Sequence, residues 1–284
     1  MQLPRLIGLM MIRDEEDMLA EALRNHVRFC DAILVLDGTR GAAQKTSRDL
    51  CCAFDEVAGY WTDAETGYRL PVRDGARQFL VERARERFGV NNWYAILHGD
   101  EIWGEDPRPL LDPEDSSARG IAVDSYHFFP HVSQRDTWSF DPGVSIEALA
   151  QWYMLPSIDE HRLFRDTGSH DYVVETHLRT VPPDIPCSRR SIAVKQYNYR
   201  SPEQAHRRAV ARKQEGWQTN HYQHLLDGPE AFFVATLGLP GLTWAGAVPP
   251  GGGRATNVQR NPLPFLGAPA GGGGSAQGKS GPVG

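Results

Sequence analysis

Cysteine is scarce in this chain, and its placement excludes two common classes of small domain. Four cysteines occur among 284 residues, at Cys30, Cys51, Cys52 and Cys187. They include an adjacent pair but no Cys-x-x-Cys, so the sequence indicates neither a zinc knuckle nor a disulfide framework. Reduced thiols are typical of cytosolic proteins, and we therefore predict a cytoplasmic location.

The chain also lacks a hydrophobic run long enough to cross a bilayer. The apolar run at residues 6–12 leads into the charged residues 13–17 (RDEED) instead of a small-residue cleavage site. A later run at residues 237–248 is broken by Pro240 and Gly241. The sequence therefore predicts no signal peptide and no transmembrane segment, and it leaves open a peripheral association with the inner membrane face.

An excess of charge is absent as well. The formal net charge is -6, and the calculated pI is near 5.9, so no global electrostatic attraction to nucleic acid or to an anionic membrane is expected. Any anion site must be local. A hydrophobic content of 40% is enough for a sizeable core. We predict one domain over residues 1–240 and a flexible, Gly- and Pro-rich tail over residues 249–284.

The order of predicted elements indicates an α/β fold. Apolar runs at residues 6–12 and 32–36 read as buried strands, and a helical pattern lies between them, which is the βαβ unit of a parallel sheet. Further helices are predicted at 42–54 and 74–88, a polar loop at 60–72, and another buried strand at 93–98. Short β-like runs at 120–123, 126–132 and 191–199 suggest a less regular second half, and a helix is predicted from Ser201 to about Gly216.

Acidic residues follow three of the predicted parallel strands. Asp14 and Glu15 follow the first, Asp37 ends the second, and Asp100 and Glu101 follow the strand that ends at His98. Ligands bind at the carboxyl ends of strands in open α/β sheets, so one crevice could collect these groups. Carboxylate oxygens beside an imidazole suit a divalent cation such as Mg or Mn, and such a cation commonly holds a phosphate. The alternative is a set of solvated turns after buried strands.

These motifs, in this order, resemble the family 2 glycosyltransferases of the GT-A fold. The resemblance rests on residues 11–16 (MIRDEE), on Asp37-Gly38-Thr39 and on residues 93–101, which end in Asp100-Glu101. Residues 160–165 (EHRLFR) and 195–204 (KQYNYRSPEQ) are similar to segments recurrent in bacterial members. Together these segments cover roughly residues 5 to 215.

The resemblance implies a fold, an activity and roles for individual residues. The expected fold is a Rossmann-like, mostly parallel sheet flanked by helices, with a nucleotide-binding half at 1–104 and an acceptor half at 105–240. The expected activity is inverting, metal-assisted transfer of a sugar from a nucleotide-diphosphate donor to a hydroxyl of a glycan, lipid-linked or small-molecule acceptor, as in bacterial glycan biosynthesis. The implied site residues are Asp14, Glu15 and Asp37 for the nucleotide, Asp100 and Glu101 for Mn or Mg, and Glu160 or, second, Asp159 as the general base.

Four basic residues and His98 are further candidates for binding the diphosphate. Lys195 and Arg200 lie in the family-like segment, and Arg73 and Arg77 lie at the start of the third predicted helix; each could instead be a surface residue. The sequence departs from the family pattern at His98, which stands where the metal motif usually has its first Asp, and at Gln196, where a His is common. His98 could be a metal ligand, could hydrogen-bond the diphosphate, or could simply cap the strand.

Two alternatives to a transferase follow from the same residues. The departures at His98 and Gln196 suggest a family member that binds nucleotide or sugar without transferring it. The basic helix at residues 203–215, with Arg207, Arg208, Arg212 and Lys213, suggests an interaction surface, although such runs are more often a solvated helix face.

Overall fold

The computed structural model describes residues 4–67, 74–111, 119–141, 143–150, 152–154, 159–172, 181–182, 185–214, 225–226, 228–233 and 258–260. Its strands are β1 (Leu6–Ile12), β2 (Ala32–Asp37), β3 (Val57–Thr62), β4 (Trp93–His98), β5 (Glu101–Trp103), β6 (Gly120–Phe129), β7 (Trp152–Met154), β8 (Asp159–Arg165), β9 (Cys187–Gln196) and β10 (Val258–Arg260). Its α-helices are α1 (Leu19–His26), α2 (Ala42–Cys52), α3 (Asp63–Thr66), α4 (Asp74–Phe88), α5 (Ile146–Leu149) and α6 (Pro202–Gln214). Short 3-10 helices occupy Arg108–Leu110, Val132–Gln134 and Pro229–Phe232.

The strands form one mixed sheet whose first half is parallel. β3, β2, β1 and β4 lie side by side in that order and all run in the same direction. β8 then pairs antiparallel with β4, and β6 pairs antiparallel with β8. β9 runs parallel beside β6 and pairs antiparallel with β5. The predicted α/β class and Rossmann-like sheet are confirmed, and the antiparallel additions fall in the less regular second half.

Helices cover both faces of β1, β2 and β4, which is why these three strands are continuous apolar runs. Successive residues of β1 alternate between the two faces: Met10 and Ile12 pack in the cluster that contains α1, and Leu9 and Met11 pack in the cluster that contains α4. Every residue of β1 and of β2 is buried. Because both faces of β1 and β2 are buried, the pairing register of these strands is fixed, and so is the alignment of their carboxyl ends. No helix among the described residues is long and apolar enough to cross a membrane.

The element predictions are confirmed for β1, β2, β4, α1, α2, α4 and α6, with small shifts at their ends. The predicted polar loop at 60–72 was wrong in its first part, because β3 and the short helix α3 occupy Val57–Thr62 and Asp63–Thr66. The two runs predicted at 120–123 and 126–132 join in the single strand β6.

One short part of the predicted tail lies within the described residues. Val258–Arg260, inside the segment predicted to be flexible, is a short strand that pairs antiparallel with β7. The other residues of 249–284 lie outside the described residues, and the domain bounds stay a prediction.

Candidate functional site

The turns that follow β1, β2 and β4 are tied together by hydrogen bonds. In the sheet, Ile12 is aligned with Asp37, so the first and second strands end side by side. The Asp14 amide donates to Thr39 Oγ1 at 3.0 Å, and the Gly99 amide donates to Glu15 Oε2 at 3.1 Å. The predicted convergence of acidic residues at this edge of the sheet is therefore present in the structure.

Asp37 forms one side of this edge. It accepts hydrogen bonds from the Thr39 amide at 2.7 Å and from the Tyr60 hydroxyl. Burial raises the pKa of Asp37, and these hydrogen bonds oppose the increase. Arg48 lies over the ring of Tyr60, with its guanidinium carbon 5.2 Å from the ring centroid. This side of the edge thus offers a buried carboxylate and an aromatic ring next to each other.

Asp100 is the centre of the edge, and it is buried. Arg208 Nη1 donates to its Oδ2 at 2.8 Å, and Arg200 Nη1 lies 4.0 Å from the same oxygen. Burial alone would raise the pKa of Asp100, but the two guanidinium groups outweigh it, so the pKa lies well below its usual range. Burial and the nearby Asp100 charge raise the pKa of Glu15 well above its usual value. Of these two neighbouring carboxyl groups, Asp100 is therefore the one that stays ionised, and Glu15 is the one that binds a proton more readily.

Beside Asp100, Arg162 joins two further carboxylates. Its Nη2 donates to Glu101 Oε1 at 3.0 Å and its Nη1 to Glu101 Oε2 at 3.3 Å, and its Nε donates to Glu160 Oε2 at 2.8 Å. Glu101 and Arg162 are almost fully buried, whereas the side chain of Glu160 is 30% exposed. Burial would raise the pKa of Glu160, but Arg162 outweighs it and lowers the pKa to about 2. Glu160 is therefore an ionised group with access to solvent.

His98 stands between these pairs. Its Nδ1 lies 2.9 Å from Glu101 Oε1, which can only accept a hydrogen bond, and 3.0 Å from Arg162 Nη1, which can only donate one. The other ring nitrogen, Nε2, is buried and has no hydrogen-bond partner in the part of the chain described. It would carry the lone pair in the tautomer whose Nδ1 proton is donated to Glu101. Metal-binding imidazoles commonly donate their other N–H to a carboxylate in this way.

Three neighbouring side chains could supply ligands to a divalent cation. His98, Asp100 and Glu101 each offer one ligand atom, and these atoms all lie within 4.8 Å of one another. Both oxygens of Glu101 already accept hydrogen bonds from Arg162, so Glu101 is better placed to orient His98 than to bind an ion. His98 and Asp100 fit an ion that takes nitrogen and oxygen ligands, such as Mn²⁺.

The structure separates the other predicted site residues. Arg200 is at the edge: its Nε donates to Asp17 at 2.9 Å. Lys195 instead forms an ion pair with Glu147, because neighbouring residues of β9 point to opposite faces and it is Gln196 that is aligned with Glu101.

The structure describes the three remaining predicted site residues only in part. Arg77 is buried in α4, as its fourth residue. Asp159 begins β8, but its side chain is not described, and Arg73 lies outside the described residues.

Sequence reasoning missed two arginines of this site. Arg162 lies inside the family-like segment 160–165 but was given no role. Arg208 was assigned to a basic, solvated helix face, whereas it points toward Asp100. A signal was available: Arg208 follows Gln204 by four positions, and Gln204, Ala205 and Ala209 are buried, so these residues share one helix face.

No protein family and no curated protein matches the chain in sequence comparison. Among solved structures, the chain is similar to the apo structure of WbbM, a bifunctional glycosyltransferase. The identity is 16% and the TM-score 0.29, and the match covers 44% of this chain and 23% of that chain. The chain thus matches less than a quarter of that protein's length.

His26, the last residue of α1, is fully buried, and we expect it to make the stability of the fold depend on pH. Burial lowers its pKa to about 4, Glu101 and His98 act on it electrostatically, and neither ring nitrogen has a hydrogen-bond partner among the described residues. The unfolded chain, with a pKa of about 6.5, binds a proton that the folded chain excludes. The contribution of His26 to the free energy of unfolding is therefore fully present above about pH 6.5. It decreases as the pH drops toward 4, by about 3 kcal/mol in total.

Urea unfolding between about pH 4 and pH 7 tests this expectation in the variant His26→Phe. The free energy of unfolding should fall less steeply on acidification in the variant than in the wild-type chain. The difference in slope should correspond to at most one proton bound on unfolding. His161→Gln, which removes a histidine of β8, is the control for the loss of an imidazole as such. An equal slope in the wild-type chain and in His26→Phe would contradict the assignment.

Proposed function

We propose that this chain transfers a sugar from a nucleotide-diphosphate donor to an acceptor hydroxyl, with inversion at the anomeric carbon. One observation carries the proposal. Acidic turns follow three adjacent parallel strands and are joined by hydrogen bonds at the carboxyl edge, where open α/β sheets bind ligands. The order of motifs that resembles family 2 glycosyltransferases supports the same activity. The proposed nucleotide half is 1–104 and the acceptor half is 105–240.

Asp37 and Asp14 are the residues we assign to the nucleoside. A buried carboxylate that already accepts from Thr39 and Tyr60 is rigid, and a carboxylate can accept the donors of a base or a ribose. Asp14 has a positive φ of 53°, a conformation that Asp tolerates better than most residues, and its amide is fixed by Thr39. This turn therefore holds Asp14 next to Asp37 in a defined position.

His98 and Asp100 are the residues we assign to a divalent cation, Mn or Mg. Such an ion would supply electrostatic stabilisation of the diphosphate leaving group. Glu101 and Arg162 both contact His98 Nδ1 and so hold the ring in position, and Arg162 keeps Glu101 ionised.

Glu160 remains our candidate for the base that accepts the acceptor's proton, with Asp159 second. Arg162 lowers the pKa of Glu160 to about 2, so Glu160 is ready to accept a proton at any physiological pH but binds it weakly. We expect kcat/KM to show no acid limb due to this base between about pH 5 and pH 7. Glu160→Gln should lower kcat by about 10²- to 10⁴-fold. An acid limb within that range would contradict the role of Glu160 as the base.

The experiment that tests the function has two parts. First, uridine and other nucleoside diphosphates are titrated calorimetrically into the protein with and without manganese. Second, the nucleotide-diphosphate sugar whose nucleotide binds is incubated with the protein, and release of the nucleoside diphosphate is followed. Manganese-dependent binding followed by release supports the proposal. No binding of any nucleoside diphosphate would contradict it.

A second candidate is a protein that binds the nucleotide sugar without transferring it. The observation in its favour is that Arg162 pairs with both Glu101 and Glu160, which reduces the basicity of the proposed base. It predicts nucleotide binding without turnover. The basic-helix alternative at 203–215 is disfavoured, because two of its arginines already pair with carboxylates of this chain. Arg208 pairs with Asp100, and Arg207 pairs with Glu16.

A further inference from the structure

We propose that Arg208 is a tethered counter-ion that holds the place of the divalent cation on Asp100, so that the ion and Arg208 compete for this carboxylate. The inference rests on the proposed function, since it concerns the same site. It adds a residue of α6 that sets the affinity of the site for metal.

The position of Arg208 supports this role. Its Nη1 is 2.8 Å from Asp100 Oδ2, and its Nη2 is 3.5 Å from Glu15 Oε1. The two ion pairs described for Arg208 are thus with Asp100, the proposed metal ligand, and with Glu15, whose Oε2 accepts from the Gly99 amide next to Asp100. Its side chain is 15% exposed, so the guanidinium has a route to solvent if it leaves Asp100.

Arg200 is the neighbouring cation, and it is fixed. Its side chain is fully buried, its Nε donates to both oxygens of Asp17 at 2.9 Å, and its Nη1 donates to the carbonyl of Tyr197 at 2.9 Å. Because Arg200 also lies 4.0 Å from Asp100 Oδ2, an ion on Asp100 would face two positive groups. Of the two arginines, Arg208 is therefore the one that we expect to leave Asp100 when an ion binds there.

Electrostatics makes the two cations exclusive. The attraction between unit charges at such distances is large in a buried site, and so is the repulsion between two cations on one carboxylate. Without an ion, Arg208 neutralises a buried carboxylate that would otherwise be costly to leave unpaired. With an ion on Asp100, the same guanidinium becomes the unfavourable group and must move away.

Manganese binding to the full chain without nucleotide tests the competition. We expect Arg208→Gln to bind Mn²⁺ about tenfold more tightly than the wild-type chain. Arg208→Lys retains the positive charge and should stay close to wild type. Arg207→Gln is the matched control, since Arg207 is 60% exposed and faces Glu16, and it should change the affinity less than about twofold. The rise in Tm on adding Mn²⁺ should also be larger for Arg208→Gln.

The sign of the effect separates competition from structural damage. A variant that merely loosened the site would bind Mn²⁺ more weakly, so tighter binding by Arg208→Gln supports the inference. Equal or weaker binding by Arg208→Gln overturns it. If Asp100→Ala still abolishes manganese binding in that case, the metal site stands and only the competition is lost.

Absence of manganese binding in both the wild-type chain and Arg208→Gln would overturn the inference together with the metal site. Sugar transfer is not needed for any of these measurements. A failure of the transfer reaction therefore cannot be mistaken for a failure of the competition.

Discussion

Replacing Arg162 by leucine is expected to lower the free energy of unfolding by about 3 to 5 kcal/mol. Arg162 donates to both oxygens of Glu101, whose side chain is only 1% exposed, and also to Glu160. Removing the guanidinium leaves a buried carboxylate without its partner, which costs far more than the loss of a surface ion pair. Urea denaturation at neutral pH measures the change.

Two further variants identify the cause of this loss. The double variant Arg162→Leu and Glu101→Leu removes both buried charges, and we expect it to recover most of the stability, because apolar groups often replace a buried ion pair at little cost. Arg207→Leu removes a more exposed arginine and should cost less than about 1 kcal/mol. Arg162→Leu unfolding within about 1 kcal/mol of wild type would show that the Glu101 charge is compensated in another way.

The fold was predictable where burial is complete and not where it is partial. β1 and β2 are buried on both faces, so their sequences are continuous apolar runs that identify them directly. β3 is an edge strand with only one fully buried residue, and it includes a glycine and a polar end, so its sequence resembles a loop. Its strand character comes from pairing with β2, which a local pattern does not report.

The acidic half of the site was predictable for a similar reason. Asp14, Glu15, Asp37 and Asp100 follow recognisable strands, and parallel strands bring their carboxyl ends to one edge. Their positions therefore follow from local sequence and one rule of topology.

The basic half was not predictable. Arg162 and Arg208 meet their carboxylates across 61 and 108 positions of the chain, respectively. Such pairings depend on the antiparallel strands and on how α6 packs. Helical spacing can place Arg208 on the buried face of α6, but it does not identify Asp100 as the partner. Lys195 is the opposite case, because a family-like segment suggested a site role for a side chain that pairs with Glu147 in the structure.

Asp100→Ala is the variant with the largest expected effect on binding. We expect manganese-dependent binding of a nucleoside diphosphate to weaken by about 100-fold or more, since this carboxylate is the anionic ligand we assign to the ion. Calorimetric titration with and without manganese measures the effect. Glu105→Ala, which removes an exposed carboxylate shortly after β5, is the matched control and should bind as wild type does.

The dependence on metal is a sharper readout than the affinity itself. Without Asp100, Arg208 and Arg200 lose a shared anion and can attract a diphosphate directly, so some metal-free binding in Asp100→Ala is expected. That binding should weaken with added salt and should not respond to manganese. Asp100→Asn keeps an oxygen that can accept from Arg208 and should therefore be the more stable of the two variants, yet equally insensitive to manganese. Binding that still requires manganese in both variants would place the ion away from Asp100.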